Sequence, residues 1–492
     1  MKAVNRYIPL FVLILMLVKV FPSSAQTNIV FYPLEDQFNS SGFNPAFLNS
    51  EHRFTFSIFP MGGTSIGYNN QRAIKELVSK FISGVTTDSD YKEILSSLTD
   101  HSTFNQTIES TLLNFTFLSH IGTLNLRINE NENFSARIKG NASDFIIKTG
   151  IQSAVVGEEQ YLPAQAMHYR EYSLGYSTPL IRHRFKVGIR AKLYFGKSAF
   201  SSNLSGSITN ESGDYMLRTS GKVNISVPET NQVNPGTTNS ISIFTGSSMV
   251  GYLMNNKNPG IGVDLGFKYR ITPRLTVSMS MMDLGKISWK SNLNSKLFEG
   301  EYQITNYQVP TQINQNGQEV ITKISSEAIS DSISNLFNLV YDRSTFSTTL
   351  PMSFYSGASY RINPKVQVNL LNKYVVIKDM NYNSTSLTAS FNLNKSLSVN
   401  TGYAIIGNAF NNVPLAFLFK KDFGQIYFGT DNLAAFLLPE LSDFAGFSFG
   451  TCFYLFKKRD VYKPINETFP YYKPRKISRN RNGKIKNMDW EL

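Results

Sequence analysis

Over residues 260–289 apolar and polar side chains alternate strictly through two long runs. In the first, Ile261, Val263, Leu265, Phe267 and Tyr269 oppose Gly262, Asp264, Gly266, Lys268 and Arg270, until Ile271-Thr272-Pro273-Arg274 breaks the pattern. In the second, Leu275, Val277, Met279 and Met281 oppose Thr276, Ser278 and Ser280. A period of two over about seven to ten residues predicts half-buried β-strands, and strands of that length suit a membrane-spanning barrel. The same alternation sets Phe185, Val187, Ile189, Ala191 and Leu193 against Lys186, Gly188, Arg190, Lys192 and Tyr194. Near the end, Phe447, Phe449, Thr451, Phe453 and Leu455 oppose Ser448, Gly450, Cys452, Tyr454 and Phe456. Such segments number about fourteen, an even count that leaves both ends of a barrel on one side of the membrane.

The breaks between runs repeat. Tyr269-Arg270-Ile271-Thr272-Pro273-Arg274-Leu275 is echoed by Tyr360-Arg361-Ile362-Asn363-Pro364-Lys365-Val366, and more loosely by Asn392-Leu393-Asn394-Lys395-Ser396-Leu397. Proline in the turn costs no ladder hydrogen bond and presets φ, so short hairpins are expected. The Tyr before each Pro turn lies on the apolar face, where an aromatic belt meets lipid headgroups; a soluble sandwich would use the same hairpins. Two stretches follow a helical period instead: Ile74, Leu77, Val78, Phe81 and Ile82, then Ile329, Ile333, Leu336, Phe337 and Val340. The Asn-, Ser-, Thr- and Gly-rich regions 201–240 and 291–325 read as long outer loops, with room for strand extensions.

The N-terminus decides the compartment. Lys2 and Arg6 lead into an apolar run over 8–18, and Ser23-Ser24-Ala25 supplies small residues for cleavage, which predicts a secretory leader over 1–25. Beyond it no apolar run reaches the roughly 20 residues of a transmembrane helix, leaving soluble domains or a β-barrel. Charged residues make up only 17% of the 492-residue chain, against the roughly 25% of soluble domains, and favour the barrel. Of the formal charge of +13, the leader carries Lys2, Arg6 and Lys19, and the remainder is concentrated at the end: eleven basic residues from Lys457 onward face Asp460, Glu467, Asp489 and Glu491. Export excludes nucleic acid as the target of this tail; anionic lipid, a cell-wall carboxylate or an acidic protein fits its charge. One cysteine, Cys452, permits neither a disulfide nor a thiolate metal site.

Catalytic chemistry finds little support. Gly446-Phe447-Ser448-Phe449-Gly450 matches the elbow of serine hydrolases, yet that elbow needs a strand-turn-helix and a later histidine, and none follows His183. His52, His101, His120, His168 and His183 show no metal-ligand spacing, so no metal, cofactor or catalytic residue is expected. The polar faces hold the candidate functional charges: Lys186, Arg190, Lys192, Asp264, Lys268, Arg270 and Arg361. A charge on the lipid face costs about 2–4 kcal/mol near the midplane, so these side chains are expected to line the lumen. There they either brace the wall through carboxylate pairs or attract an anionic headgroup.

Gly42-Phe43-Asn44-Pro45-Ala46-Phe47-Leu48 resembles the Asn-Pro-Ala signature of the FadL-like outer-membrane barrels and their relative PorV of type IX secretion. With Tyr172-Ser173-Leu174-Gly175-Tyr176, Met282-Asp283-Leu284-Gly285 and Thr430-Asp431-Asn432-Leu433, the chain is similar to a Bacteroidota outer-membrane barrel family of unknown function. The resemblance implies an all-β fold: a single antiparallel transmembrane barrel of about fourteen strands over 53–456. It implies a hatch-like segment over 26–52 with Asn44, Pro45 and Ala46 as hatch residues, or as a simple turn. Departures from the pattern are a helical insertion near 71–98 and a basic periplasmic tail over 457–492. The expected function is non-enzymatic: binding or passing small hydrophobic or amphipathic molecules in the outer membrane, with lipid around the wall. The alternative is an accessory subunit of an outer-membrane secretion or assembly machine that docks a protein partner through the tail.

Overall fold

The computed structural model describes residues 28–35, 37–48, 52–69, 103–137, 160–181, 184–211, 214–227, 251–293, 295–304, 311–313, 319–321, 340–377, 381–407, 409–438 and 441–457. The leader, the helical stretches expected at 71–98 and 329–339, and the tail beyond Lys457 lie outside the described residues. Val340, the last position of that second helical period, opens a short strand instead.

Backbone pairing closes a fourteen-stranded antiparallel barrel. In chain order the staves are β1 (His52–Ile58 and Thr64–Asn69), β2 (Thr103–Leu118), β3 (Thr123–Arg137), β4 (Gln160–Ile181), β5 (Phe185–Glu211), β6 (Asp214–Ser226 and Asn258–Arg270) and β7 (Leu275–Trp289 and Ser295–Ile304). They continue as β8 (Val340–Asp342, Phe346–Thr349 and Met352–Asn363), β9 (Val366–Val376), β10 (Tyr382–Asn392), β11 (Leu397–Ile406), β12 (Ala409–Asn412 and Leu415–Lys421), β13 (Gly424–Thr430) and β14 (Phe444–Lys457). Closure comes from β1 against β14, with His52 opposite Lys457 and Phe54 opposite Leu455. Without that seam the sheet would expose an unpaired edge, which hydrocarbon cannot solvate.

The three echoing turns share one device. Thr272 Oγ1, Asn363 Oδ1 and Asn394 Oδ1 each accept from the backbone N–H groups two and three residues on. These short turns define one rim, and the long connections define the other. Sequence composition suggested loops at 201–240 and 291–325, yet β5 runs to Glu211, and the outer parts of β6 and β7 pair with it and with each other. Beyond the membrane neither face needs to be apolar, so backbone pairing persists where the hydrophobic alternation has stopped.

Facing follows the alternation. Ile261 is 67% exposed and Leu193 54%, whereas Asp264 is 0% and Arg190 1% exposed. Tyr269 and Tyr360 are exposed beside the short turns, at the height of an aromatic belt. Two of the irregularities in the ladders lie near the interior. Between Val263 and Leu265 the register of β6 on β7 slips, with Asp283 at φ 61 and its N–H donated to Asp264 Oδ1 at 2.7 Å, a β-bulge that re-aims Asp283. In β1, Phe59-Pro60-Met61-Gly62-Gly63 leaves the ladder altogether, tied back by Phe59 N–H to Leu112 O (2.9 Å) and Thr451 N–H to Met61 O (2.7 Å).

Residues 28–48 occupy the interior of the barrel. Ile29, Val30, Phe31, Tyr32, Phe43 and Phe47 pack on Met282, Tyr355, Leu371, Ala404, Ile406, Leu418 and Tyr427 from the surrounding wall. Tyr32 stacks on Tyr355 with centroids 5.3 Å apart.

Candidate functional site

The Asn-Pro-Ala motif sits at the centre of this filling. Asn44 is extended and begins a 3-10 turn over Pro45–Phe47: its Oδ1 accepts from Ala46 N–H at 2.9 Å, and proline takes the position where a missing N–H costs nothing. The other end of the amide reaches the wall, where Nδ2 donates to Phe267 O at 3.2 Å and to Met279 O at 3.3 Å, two residues that face each other across β6 and β7. Only glycines let the motif come so close. A Cβ at Gly266 would stand 2.1 Å from Asn44 Oδ1, and one at Gly188 2.3 Å from the Pro45 carbonyl carbon.

The rest of the segment is held by single polar contacts. Asp431, in the connection between β13 and β14, accepts from Val30 N–H at 2.8 Å and from Asn28 N–H. Burial pushes its carboxyl up to about 6 despite these two donors, because desolvation outweighs them. Asn400 Nδ2 donates to Val30 O at 2.7 Å, Ser280 Oγ to Phe43 O at 2.6 Å, and Phe38 N–H to Gln425 Oε1 at 2.7 Å. An amide relay crosses the lumen: Asn125 donates to Asn114 (2.7 Å), Asn114 to Asn39 (3.0 Å) and Asn39 to the Tyr427 hydroxyl (2.6 Å). No ladder pairs residues 28–48 with any stave among the described residues.

The seven charges singled out from sequence separate into two groups. Arg190, Lys192 and Asp264 come together in a dry cluster with Glu171 and Asp283, Lys192 Nζ lying 3.2 Å from Glu171, 3.0 Å from Asp264 and 2.6 Å from Asp283. Arg190 is 3.4 Å from Asp264, and nearby Arg127 pairs with Glu109 at 2.5 Å. Three cations, Arg127, Arg190 and Lys192, here face four carboxylates, Glu109, Glu171, Asp264 and Asp283, so each buried cation has an acidic partner. Lys186, Lys268, Arg270 and Arg361 lie nearer the short-turn rim. Lys186 Nζ donates to Leu48 O at 2.7 Å, and Lys268 pairs with Glu35, so both engage the N-terminal segment. Arg270 and Arg361 line a cleft at that rim with Arg274, over Pro33, Leu34 and Leu418.

A second, smaller cleft lies beside the break in β1, bounded by Gly63, Asn28, Asn39, Phe43, Arg127 and Tyr427. Sequence reading passed over Glu35 and this break, and met Arg274 only as a turn residue and Asp431 only within Thr430-Asp431-Asn432-Leu433. Pro60 and Gly62-Gly63 inside an alternating strand were a usable signal, since both residue types mark interruptions there. Nothing local marks Asp431, whose partners are some 400 residues distant. The Gly446–Gly450 pentapeptide is uninterrupted strand within β14, with no turn at Ser448.

A closed antiparallel wall with an apolar outer face, a polar lumen and an N-terminal segment folded into it defines a membrane-spanning β-barrel. No helix among the described residues is long and apolar enough to cross a membrane. The chain belongs to the family of unknown function DUF5723, whose model matches residues 45–431. Among solved structures it is similar to the toluene transporter TbuX of Ralstonia pickettii, at 9% identity over 84% of this chain and 92% of that one, with a TM-score of 0.35. It is also similar to the toluene transporter TodX of Pseudomonas putida (9% identity, 88% and 94% covered, TM-score 0.33) and to the monoaromatic hydrocarbon channel CymD (11%, 88% and 93%, 0.33). No curated protein matches the sequence.

Proposed function

We propose that this protein is a non-enzymatic outer-membrane barrel that binds or passes small hydrophobic or amphipathic molecules, with residues 28–48 as its hatch and Asn44, Pro45 and Ala46 as the hatch pivot. One observation carries the reading: the segment fills the lumen yet is attached by isolated side-chain bonds and apolar contacts, with no strand pairing to the wall among the described residues. Each such bond contributes about 0.5–1.5 kcal/mol net, and withdrawing the segment leaves the barrel ladders intact. The short-turn rim, which also carries both ends of the barrel, is assigned to the periplasm. The break in β1 beside the smaller cleft offers a route between lumen and bilayer once the hatch moves. The ionic cluster around Lys192 braces the wall.

The test is transfer of a fluorescent hydrophobic probe across liposomes containing the full-length protein, compared with a variant lacking residues 28–48. Faster transfer by the deletion variant than by wild type, and by wild type than by protein-free liposomes, is the expected order. Equal rates in all three would overturn the proposal.

A further inference from the structure

The cleft at the short-turn rim differs from the ionic cluster around Lys192. It opens to solvent, and its enclosed part holds about 130 Å³. Its walls hold Lys268, Arg270, Arg274 and Arg361 against one carboxylate, Glu35, which Lys268 already engages. Around Lys192 the cations are matched by Glu171, Asp264 and Asp283, as bracing requires. At the rim Glu35 is the one carboxylate among the described lining residues, and neither Arg274 nor Arg361 forms an ion pair with a carboxylate among the described residues. Four cations lining one cleft with a single lining carboxylate give it a positive potential that attracts an anion.

The fold builds the convergence. Arg361 N–H donates to Arg274 O at 2.8 Å, fastening neighbouring staves so that the two arginines flank one corner. The ladders set Arg270 opposite Thr276, Thr276 opposite Ser359, and Arg361 opposite Gln367, in one band along the inner face. Leu34 and Leu418, both buried, give the band an apolar floor. Arginine presents a planar fork that fits an oxyanion in two-point contact, and polar neighbours complete its shell.

We infer that this cleft is a binding site for the oxyanion group, carboxylate or phosphate, of an amphipathic molecule whose apolar part rests on Leu34 and Leu418. The site needs no passage through the barrel and stands whether or not the hatch opens. The experiment is calorimetric titration of the full-length protein in nanodiscs with decyl phosphate, decanoate, inorganic phosphate and decanol. Decyl phosphate and decanoate are expected to bind at least tenfold more tightly than decanol, and Arg274→Gln with Arg361→Gln to weaken them at least tenfold without changing decanol. Glu35→Gln, which removes the one carboxylate among the described lining residues, is expected to tighten both. Inorganic phosphate binding as well as decyl phosphate would support an oxyanion site but assign it to free anions. Resistance of the barrel to unfolding by detergent on heating checks that the double variant is folded. Decanol binding as tightly as the anions, or unchanged anion affinity in the folded double variant, would overturn the inference.

Discussion

Gly188→Ala adds one methyl group to the inner face of β5, directly against the backbone of the interior segment 37–48 that is proposed as the hatch. The added Cβ would meet the Pro45 carbonyl carbon at 2.3 Å and Ala46 N at 2.5 Å, roughly 1 Å inside ordinary contact. Both are backbone atoms, so no rotamer change relieves the overlap, and the stave cannot retreat because Gly188 is paired to Ser177 on one side and Gly266 on the other. The hatch has to move. Overpacking of this kind costs about 1–3 kcal/mol. Shifting Pro45 also pulls Asn44 from Phe267 O and Met279 O, two bonds of about 1 kcal/mol each, for a total near 3–5 kcal/mol against the seated hatch. At 1.4 kcal/mol per tenfold, the displaced population rises about 100-fold or more. The wall is spared because alanine suits a strand. Two assays read the outcome: conductance across planar bilayers, and chymotrypsin cleavage at Phe31, Phe38, Phe43 and Phe47, with fragments identified by mass. Gly251→Ala is the control, since a Cβ there meets nothing within 4 Å. Wild-type conductance and protection in folded Gly188→Ala protein would refute both the seating of Asn-Pro-Ala and the polar attachment argued from it.

Asn44→Ala should release the motif without added bulk, leaving Ala46 N–H without its acceptor and raising cleavage at Phe43 and Phe47; protection equal to wild type in the same digest would show that the cap is dispensable. The buried Asp431 carboxyl is raised to about 6, whereas in a displaced hatch it is exposed near 3.8. The seated state therefore binds the extra proton: seating is strongest below about pH 4, weakens as pH rises to about 6, and is constant above, by a difference on the order of 3 kcal/mol. Cleavage rates at pH 4.5 and 7.5 should diverge in wild type and converge in Asp431→Ala, and an identical pH response in both would exclude Asp431 as the source. Lys192→Met takes a cation from buried Glu171 and Asp264 and half-buried Asp283, leaving Asp264 only Arg190, and a loss of about 3–5 kcal/mol is expected as a lower denaturation midpoint; an unchanged midpoint would mean that water reaches the cluster. Deleting 462–492 tests the alternative docking role: unchanged partners in a native-membrane pull-down would count against it.

The architecture was readable because a transmembrane strand must satisfy two solvents at once, and Ile261 to Tyr269 against Asp264 to Arg270 records that demand residue by residue. Strand number, facing, turn positions and the inward direction of Lys186, Arg190, Lys192 and Lys268 all follow from it. The outer extensions of β5 to β7 were less readable, since water on both faces imposes no alternation. Within the site, Asn44-Pro45-Ala46 was visible as a local cap, whereas its contact with Phe267 and Met279 was not, because it joins residues more than 220 positions apart.

What the sequence by itself determined is the wall: period two, proline turns and small polar-face residues specify a barrel wherever the chain closes. Only the tertiary structure decided what fills it. Seven candidate charges look alike in sequence, yet closure places three within a carboxylate-rich ionic cluster and Arg270 and Arg361 beside Arg274 in a cleft whose one described carboxylate is Glu35. The cause is physical: alternation depends on each residue's own solvent, but the balance of a charge depends on which distant residues the closed barrel brings within a few ångströms of it.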